Sequence, residues 1–566
     1  MPVGMQVSIP QITLDRLDDQ LHLRIFPKAS YTCDPMTGHI LNNGTRVADY
    51  GGGNVNPVVR CDPAMWNTMR QTVGESQPVD ICFPKSSPAM VDVPPGNYIV
   101  LVEGSGVSTD GSGRRIILGS GCGDLNAMPG TSPSVSIVMN EQADVGVCGD
   151  HDVAANESCD EGAESATCDH CQFPERQVNT TATTAVKNPS IAWAIGQNMV
   201  IAFESNDDPY VHQLSPAGTP LTQPAAFAND NVLDATARNE QHYVRLAATA
   251  TGYAATWETL ERASDFDIEG CLSDYNAPPP PPADAFVNPT SMMTGQDRLR
   301  PAVAISGSRA VFVYQSGPMG SEEIRLAATS TTPPITAPSA DAALVASGGM
   351  GATAAITPQI AATSSGFVVT WAARAADFDI YAARLDSSGA PMGASIRVNT
   401  ETAGNQDQPA IAANGNDVVI TWRDASMADP SDTMGTTVRW RHFDTALTPD
   451  GNDHVAPTTT AGDQLAPTVA VASSGVVLLA WEDAGGTIRG RLVRANGSSV
   501  VNRINATTAD FEVSASAGAT AVGTGPRHSP AAAFGGMAAT GGNPLFGVTW
   551  QDQGLNQIRV RTLRAD

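Results

Sequence analysis

The chain has 566 residues, with 58 acidic against 32 basic, a net charge of −26, and 52 glycines and 40 prolines. That length exceeds one hydrophobic core and calls for several domains. The charge leaves no basic stripe for phosphates, which excludes a nucleic-acid binder and disfavours an anionic membrane surface.

No window approaches 18 consecutive apolar residues, so no transmembrane helix is expected. Short apolar bursts separated by Gly, Pro, Asn and Asp dominate, and helix-forming runs are missing, which predicts an all-β chain. The opening MPVGMQVSIPQITLDRLDDQ lacks the charged and apolar regions of a leader. Export, with or without a lipid anchor, would rest on a leader that this sequence does not contain. Cysteine usage nevertheless points to an oxidising compartment. Cys33, Cys61, Cys82, Cys122, Cys148, Cys159, Cys168 and Cys171 form an even set in the first third, which reads as disulfides. Cys271 is left over.

Residues 1–145 read as a β-sandwich with four of these cysteines. QITLDRLDDQLHLRIFP alternates over two short strands, and SVSIVMN (134–140) is another. Pro94, Pro95 and Gly96 supply a turn, after which Tyr98, Val100 and Val102 share one face of a strand. The phrase PPGNYIVLVEG resembles prealbumin-like and carboxypeptidase-regulatory-type sandwiches, and that resemblance implies a spacer or a binding module.

Residues 146–174 carry the spacing C-x10-C-x8-C-x2-C from Cys148 to Cys171. Two chemistries fit: two disulfides, which an exported chain would form, or four thiolates on zinc with His151 and His170 in reserve. The segment has too few apolar residues for a core and needs one staple or the other. Cys148-Gly149-Asp150, Glu157, Cys159-Asp160 and Gly162 resemble the cysteine-rich repeat of secreted myxobacterial proteins. His151 and Glu161 depart from its usual Gly and Asp, and the last loop is shortened. The resemblance implies a surface or secreted protein without catalysis. Asp150, Asp160 and Glu161 offer hard oxygen ligands for calcium, or simply a solvated acidic loop.

Residues 175–566 repeat at a period near 50 to 60. Seven units each carry an apolar strand, a turn and a second strand ending on an aromatic: Phe203, Trp257, Tyr314, Trp371, Trp422, Trp481 and Trp550. A third alternating strand follows in each, and a fourth is read at IRVNT (396–400) and VNRIN (501–505). Four antiparallel strands at this period predict a seven-bladed β-propeller. The last unit stops after its third strand, QIRVRTLRAD. RQVNT at 176–180, upstream of the first unit, is expected to supply its outer strand and close the ring. The aromatics are expected to pack between blades rather than stack on sugars. The DFD pairs at Asp265–Asp267 and Asp377–Asp379 read as loop caps, with calcium as the alternative. Pro278–Pro282 predicts a polyproline II excursion.

The HExxH, GxSxG and P-loop patterns are all missing, and no catalytic residue is assigned. The expected function is a non-catalytic binding or adhesion protein, extracellular or on the outer cell surface. It would present a propeller face to a glycan or protein partner. Two alternatives come from other classes: a glycoside hydrolase or lyase, and an envelope or matrix scaffold. Two or three carboxylates beside aromatics at the funnel mouth would mark the enzyme. Small Ala, Thr and Ser residues there would mark binding or scaffolding.

Overall fold

The structure is a computed structural model. It describes residues 2–8, 17–34, 39–42, 45–46, 79–85, 89–107, 115–129, 134–141, 175–180, 185–216, 218, 221, 231–233, 240–262, 265–275, 297–331, 342–345, 352–428, 435–458, 461–500, 508–514, 526–537 and 544–565. All described regular elements are strands, and the chain divides into two units.

In the N-terminal unit a five-stranded sheet contains Gln20–Pro27, Val79–Pro84, Gly96–Val107, Arg115–Ala127 and Asn140–Glu141. A three-stranded sheet contains Pro2–Ser8, Ala89–Asp92 and Ser134–Val138. Leu23, Ile25, Val100 and Val102 of the first bury one core with Val135 and Ile137 of the second. Tyr98, Val100 and Val102 face that core together, as their alternation predicts. A disulfide joins Cys33 to Cys122, and Cys82 is also disulfide-bonded. Glu103 is buried in the sheet with Arg24 Nη2 at 2.7 Å. Burial opposes its charge, but Arg24 and His22 together hold the carboxyl below its ordinary range.

The second unit is a circuit of seven antiparallel sheets, and their strands follow the repeats. Blade 1 begins with Val186–Trp193, Met199–Ser205 and Asp208–Leu214, and blade 2 with Gln241–Ala248, Gly252–Arg262 and Asp265–Asp274. Blades 3 to 6 have first strands Arg298–Ser306, Ala354–Thr363, Gln406–Asn414 and Gln464–Val471. Blade 7 is built from Arg527–Met537, Pro544–Asp552, Gln557–Arg564 and, at its outer edge, Arg176–Gln177.

Each second strand is apolar at both parities, which one covered face cannot satisfy. In blade 4, Val369 and Trp371 pack toward blade 3 beside Val311 and Val313, while Val368 and Ala372 pack toward blade 5 beside Ile420 and Trp422. Blades 1 to 7 are linked in this way in turn. The circuit closes where Ile558 and Val560 of blade 7 meet Ile191, Met199 and Phe203 of blade 1. All seven repeat aromatics are at most 1% exposed, so they pack the interior and offer no face to a sugar. In blades 2, 4, 5 and 7 the preceding threonine adds a bond of its own. Thr256, Thr370, Thr421 and Thr549 each donate to a third-strand carbonyl at 2.7 to 2.8 Å.

The closing strand behaves as its sequence twin does. Arg176 lies opposite Val560 in antiparallel register. Val178 N donates to Ile558 O at 2.8 Å, and Asn179 Oδ1 accepts from Ile558 N at 2.8 Å. In blade 4, Val398 N donates to Ile380 O and Asn399 Oδ1 accepts from Ile380 N, both at 2.8 Å. The recurring Val-Asn pair is therefore a clamp that satisfies both backbone groups of one third-strand residue. Glu175 seals the same seam, its carboxylate 2.7 Å from Arg559 Nη2.

One strand assignment is corrected. The outer strand of blade 6 is Phe511–Glu512, paired with Arg489–Gly490, and not VNRIN. There Ser514 Oγ accepts from Ile488 N at 3.0 Å while Val513 N donates to Ile488 O, so a hydroxyl replaces the asparagine amide. Residues 501–505 lie outside the described residues, as do Pro278–Pro282.

Candidate functional site

The seven first strands converge on a central cavity of about 510 Å³. Each is broken by one irregularity at the same place. Asn188, Tyr243, Arg300, Thr357, Gln408, Ala466 and Ser529 all have φ between 47° and 56°, the left-handed region that non-glycine residues avoid. At each the register to the second strand shifts, as at a β-bulge. Proline follows in six of the seven, and it brings no N–H to the interrupted ladder. The bulges turn this ring of residues toward the axis, and all seven line the cavity.

Left-handed backbone at such residues costs about 1–2 kcal/mol each. Side chains from the preceding blade offset part of that cost. Glu204, directly after the blade 1 aromatic, accepts from Tyr243 N at 2.6 Å and from Asn188 Nδ2 at 2.8 Å. Glu258 accepts from Arg300 N at 2.5 Å, and Gln315 from Thr357 N at 2.9 Å. Gln408 bonds Ala466 N at 2.8 Å, and Glu482 bonds Ser529 N at 3.4 Å. These acceptors tie neighbouring blades together at five of the seven junctions along the cavity wall. Sequence reading missed them, although a polar residue directly after the aromatic in most repeats was a visible signal.

Two of the acceptors are buried carboxylates. Glu204 is fully buried, with His242 Nδ1 3.4 Å away, and that contact raises the His242 imidazole above its ordinary pKa. Glu258 is 2% exposed, and burial pushes its carboxyl up to about 7 against the opposing pull of Arg300. Both lie behind the cavity wall. The wall itself mixes small and apolar groups, such as Ala302, Ala410 and Ala531, with neutral polar ones, such as Asn188, Gln359, Gln408 and Thr468. Among the described residues its only charges are Arg245 and Arg300.

The residues singled out in sequence are scattered or outside view. Cys61, Cys148, Cys159, Cys168 and Cys171, with the calcium candidates Asp150, Asp160 and Glu161, lie outside the described residues. Among the described residues no group of three or more His, Cys, Asp or Glu side chains is placed to hold a metal. In the DFD segments, Asp267 pairs with Arg298, and Asp379 Oδ1 accepts from Asn399 Nδ2 at 2.7 Å. Cys271 is a buried thiol in the blade 2 core.

No protein-family model matches the chain, and no curated protein matches it in sequence. Solved structures similar to it include a protein of unknown function from Dyadobacter fermentans, at 11% identity over 70% of this chain and 99% of that one, with a TM-score of 0.39. A structure of the polysaccharide lyase Uly1 is similar at 8% identity over 70% and 100%, with a TM-score of 0.38. A thermostable family-43 glycoside hydrolase is similar at 12% identity over 49% and 92%, with a TM-score of 0.28. At these scores the likeness assigns neither a family nor an activity, and the chain stands as an all-β protein whose seven sheets are arranged like propeller blades.

Proposed function

We propose that the chain is a secreted or cell-surface binding protein that uses its ring of sheets as a platform for a glycan or protein partner. The observation that carries this reading is the cavity wall. All seven blades contribute to it, six of them with Pro, Ala, Ser or Thr residues, and the nearest buried carboxylates, Glu204 and Glu258, are committed to backbone N–H groups. A rigid, largely preformed concavity with a few polar groups is what ligand sites usually offer. The Cys33–Cys122 disulfide and the cysteine-rich segment resembling secreted myxobacterial repeats support an extracellular location. That segment and the N-terminal unit would then act as the stalk, with a lipid anchor and calcium at Asp150, Asp160 and Glu161 as accessory features.

A glycan array with the purified full chain, run with and without calcium, tests the reading. Saturable binding to a defined glycan class is expected. Silence on the array and in pull-downs from intact cell surfaces would contradict it. A second reading, a glycoside hydrolase or lyase, draws on one observation: the Glu258 carboxyl, raised to about 7, has the protonation range of a general acid. Cleavage of a bound glycan that is lost in Glu258→Gln would favour that reading. Binding without cleavage would favour the platform.

A further inference from the structure

The central cavity carries an unusual charge for this chain. The protein has a net charge of −26, yet the described wall of its axial cavity has two arginines and no acidic residue. Arg245 and Arg300 come from the first strands of adjacent blades 2 and 3, near their bulges. Among the described residues the guanidiniums contact a backbone carbonyl and an aromatic ring rather than a carboxylate, although Glu204 and Glu258 attract Arg245 from behind the wall. Arg245 Nη1 donates to its neighbour's backbone, Val244 O, at 2.8 Å. The Arg300 guanidinium lies 3.7 Å from the centre of the Tyr243 ring, a stack that fixes its plane and leaves its edge for other partners.

Two guanidiniums side by side repel one another unless an anion bridges them. Glu204 and Glu258 attract the guanidiniums from behind the wall without bridging them: Glu204 bonds Tyr243 N, Asn188 Nδ2 and His242, and Glu258 bonds Arg300 N. The planar fork of arginine suits a carboxylate, which it binds through two parallel bonds. The volume of about 510 Å³ accommodates a monosaccharide-sized molecule.

We propose that Arg245 and Arg300 form an anion site in the axial cavity that takes a small carboxylate, a sugar acid or a simple carboxylic acid. The Tyr243 ring, already stacked on Arg300, orients the pair. This deepens the platform reading and rests on it.

Calorimetric titration of the full chain tests the proposal, with D-glucuronate as the sugar acid, L-lactate as the simple acid and D-glucose as the neutral match of the first. Saturable binding of at least one carboxylate is expected, with none for glucose. Arg245→Gln and Arg300→Gln are each expected to weaken it at least 10-fold, and Arg245→Lys less than Arg245→Gln, all with melting temperatures near that of the unaltered protein. Preference for glucuronate identifies a sugar acid, and equal binding of lactate identifies the carboxylate alone as the determinant. No binding of either acid, equal binding of glucose, or binding untouched by both glutamine variants would overturn the site. A negative glycan array with positive glucuronate binding removes the surface platform and leaves this site. Neutral-glycan binding untouched by the arginine variants does the reverse.

Discussion

Val178→Asp is expected to destabilise the ring by roughly 4 kcal/mol or more, the cost of burying an unpaired carboxylate. Val178 is fully buried between Ile558, Val560 and the first strand of blade 1. It directly follows a strand far away in sequence from the sheet which that strand completes. Without that strand, Gln557–Arg564 becomes an open sheet edge and Arg559 loses its partner Glu175. Denaturant unfolding followed by tryptophan fluorescence reads this well, because Trp257, Trp371, Trp422, Trp440, Trp481 and Trp550 are all buried in the ring. Met319→Asp, at a fully solvated position, is expected to change the midpoint by less than about 0.5 kcal/mol. Equal effects of the two substitutions would show that the seam contributes nothing.

Glu258→Gln is expected to stabilise the protein above neutral pH. The Glu258 carboxyl is raised to about 7, so the folded state holds its proton more tightly than the unfolded chain does. Its contribution is therefore fully present below the unfolded value near 4.5 and is lost as pH rises through about 7. A glutamine keeps the acceptor for Arg300 N and carries no charge at any pH. The gain should reach roughly 3 kcal/mol at pH 8 and vanish at pH 4, since one pKa unit is worth about 1.4 kcal/mol. Unfolding midpoints at both pH values check it. A destabilised variant at pH 8 would mean that the carboxylate form is the one the fold prefers.

The repeat architecture was legible because it is written in periodicity. A strand buried on both faces reads as an unbroken apolar run, and a bulky aromatic at one fixed step shows where blades meet. The Val-Asn clamp was legible as a recurring string, 178–179 and 398–399, before its hydrogen bonds were visible. The same string misled in blade 6. VNRIN looks like a clamp, but the clamp there is Val513-Ser514, where a shorter side chain does the bonding. The cavity was illegible for a different reason. Arg245 follows an ordinary valine and Arg300 precedes an ordinary proline, and only the circular arrangement brings them to one axis. The glutamates that hold the bulges act on the next blade, so no local pattern announces their partners.

Ring closure is the claim on which the cavity, and with it both functional proposals, depends. Arg176 and Val560 are directly opposite in the closing register. Opposed residues in an antiparallel pair have Cα atoms about 4.5 to 5.5 Å apart, within reach of a disulfide. The full chain carrying Arg176→Cys and Val560→Cys, oxidised while folded and then digested, should yield a peptide pair joined through positions 176 and 560 in high yield. A folded protein whose two new cysteines remain separate, or join other cysteines, would contradict a closed ring.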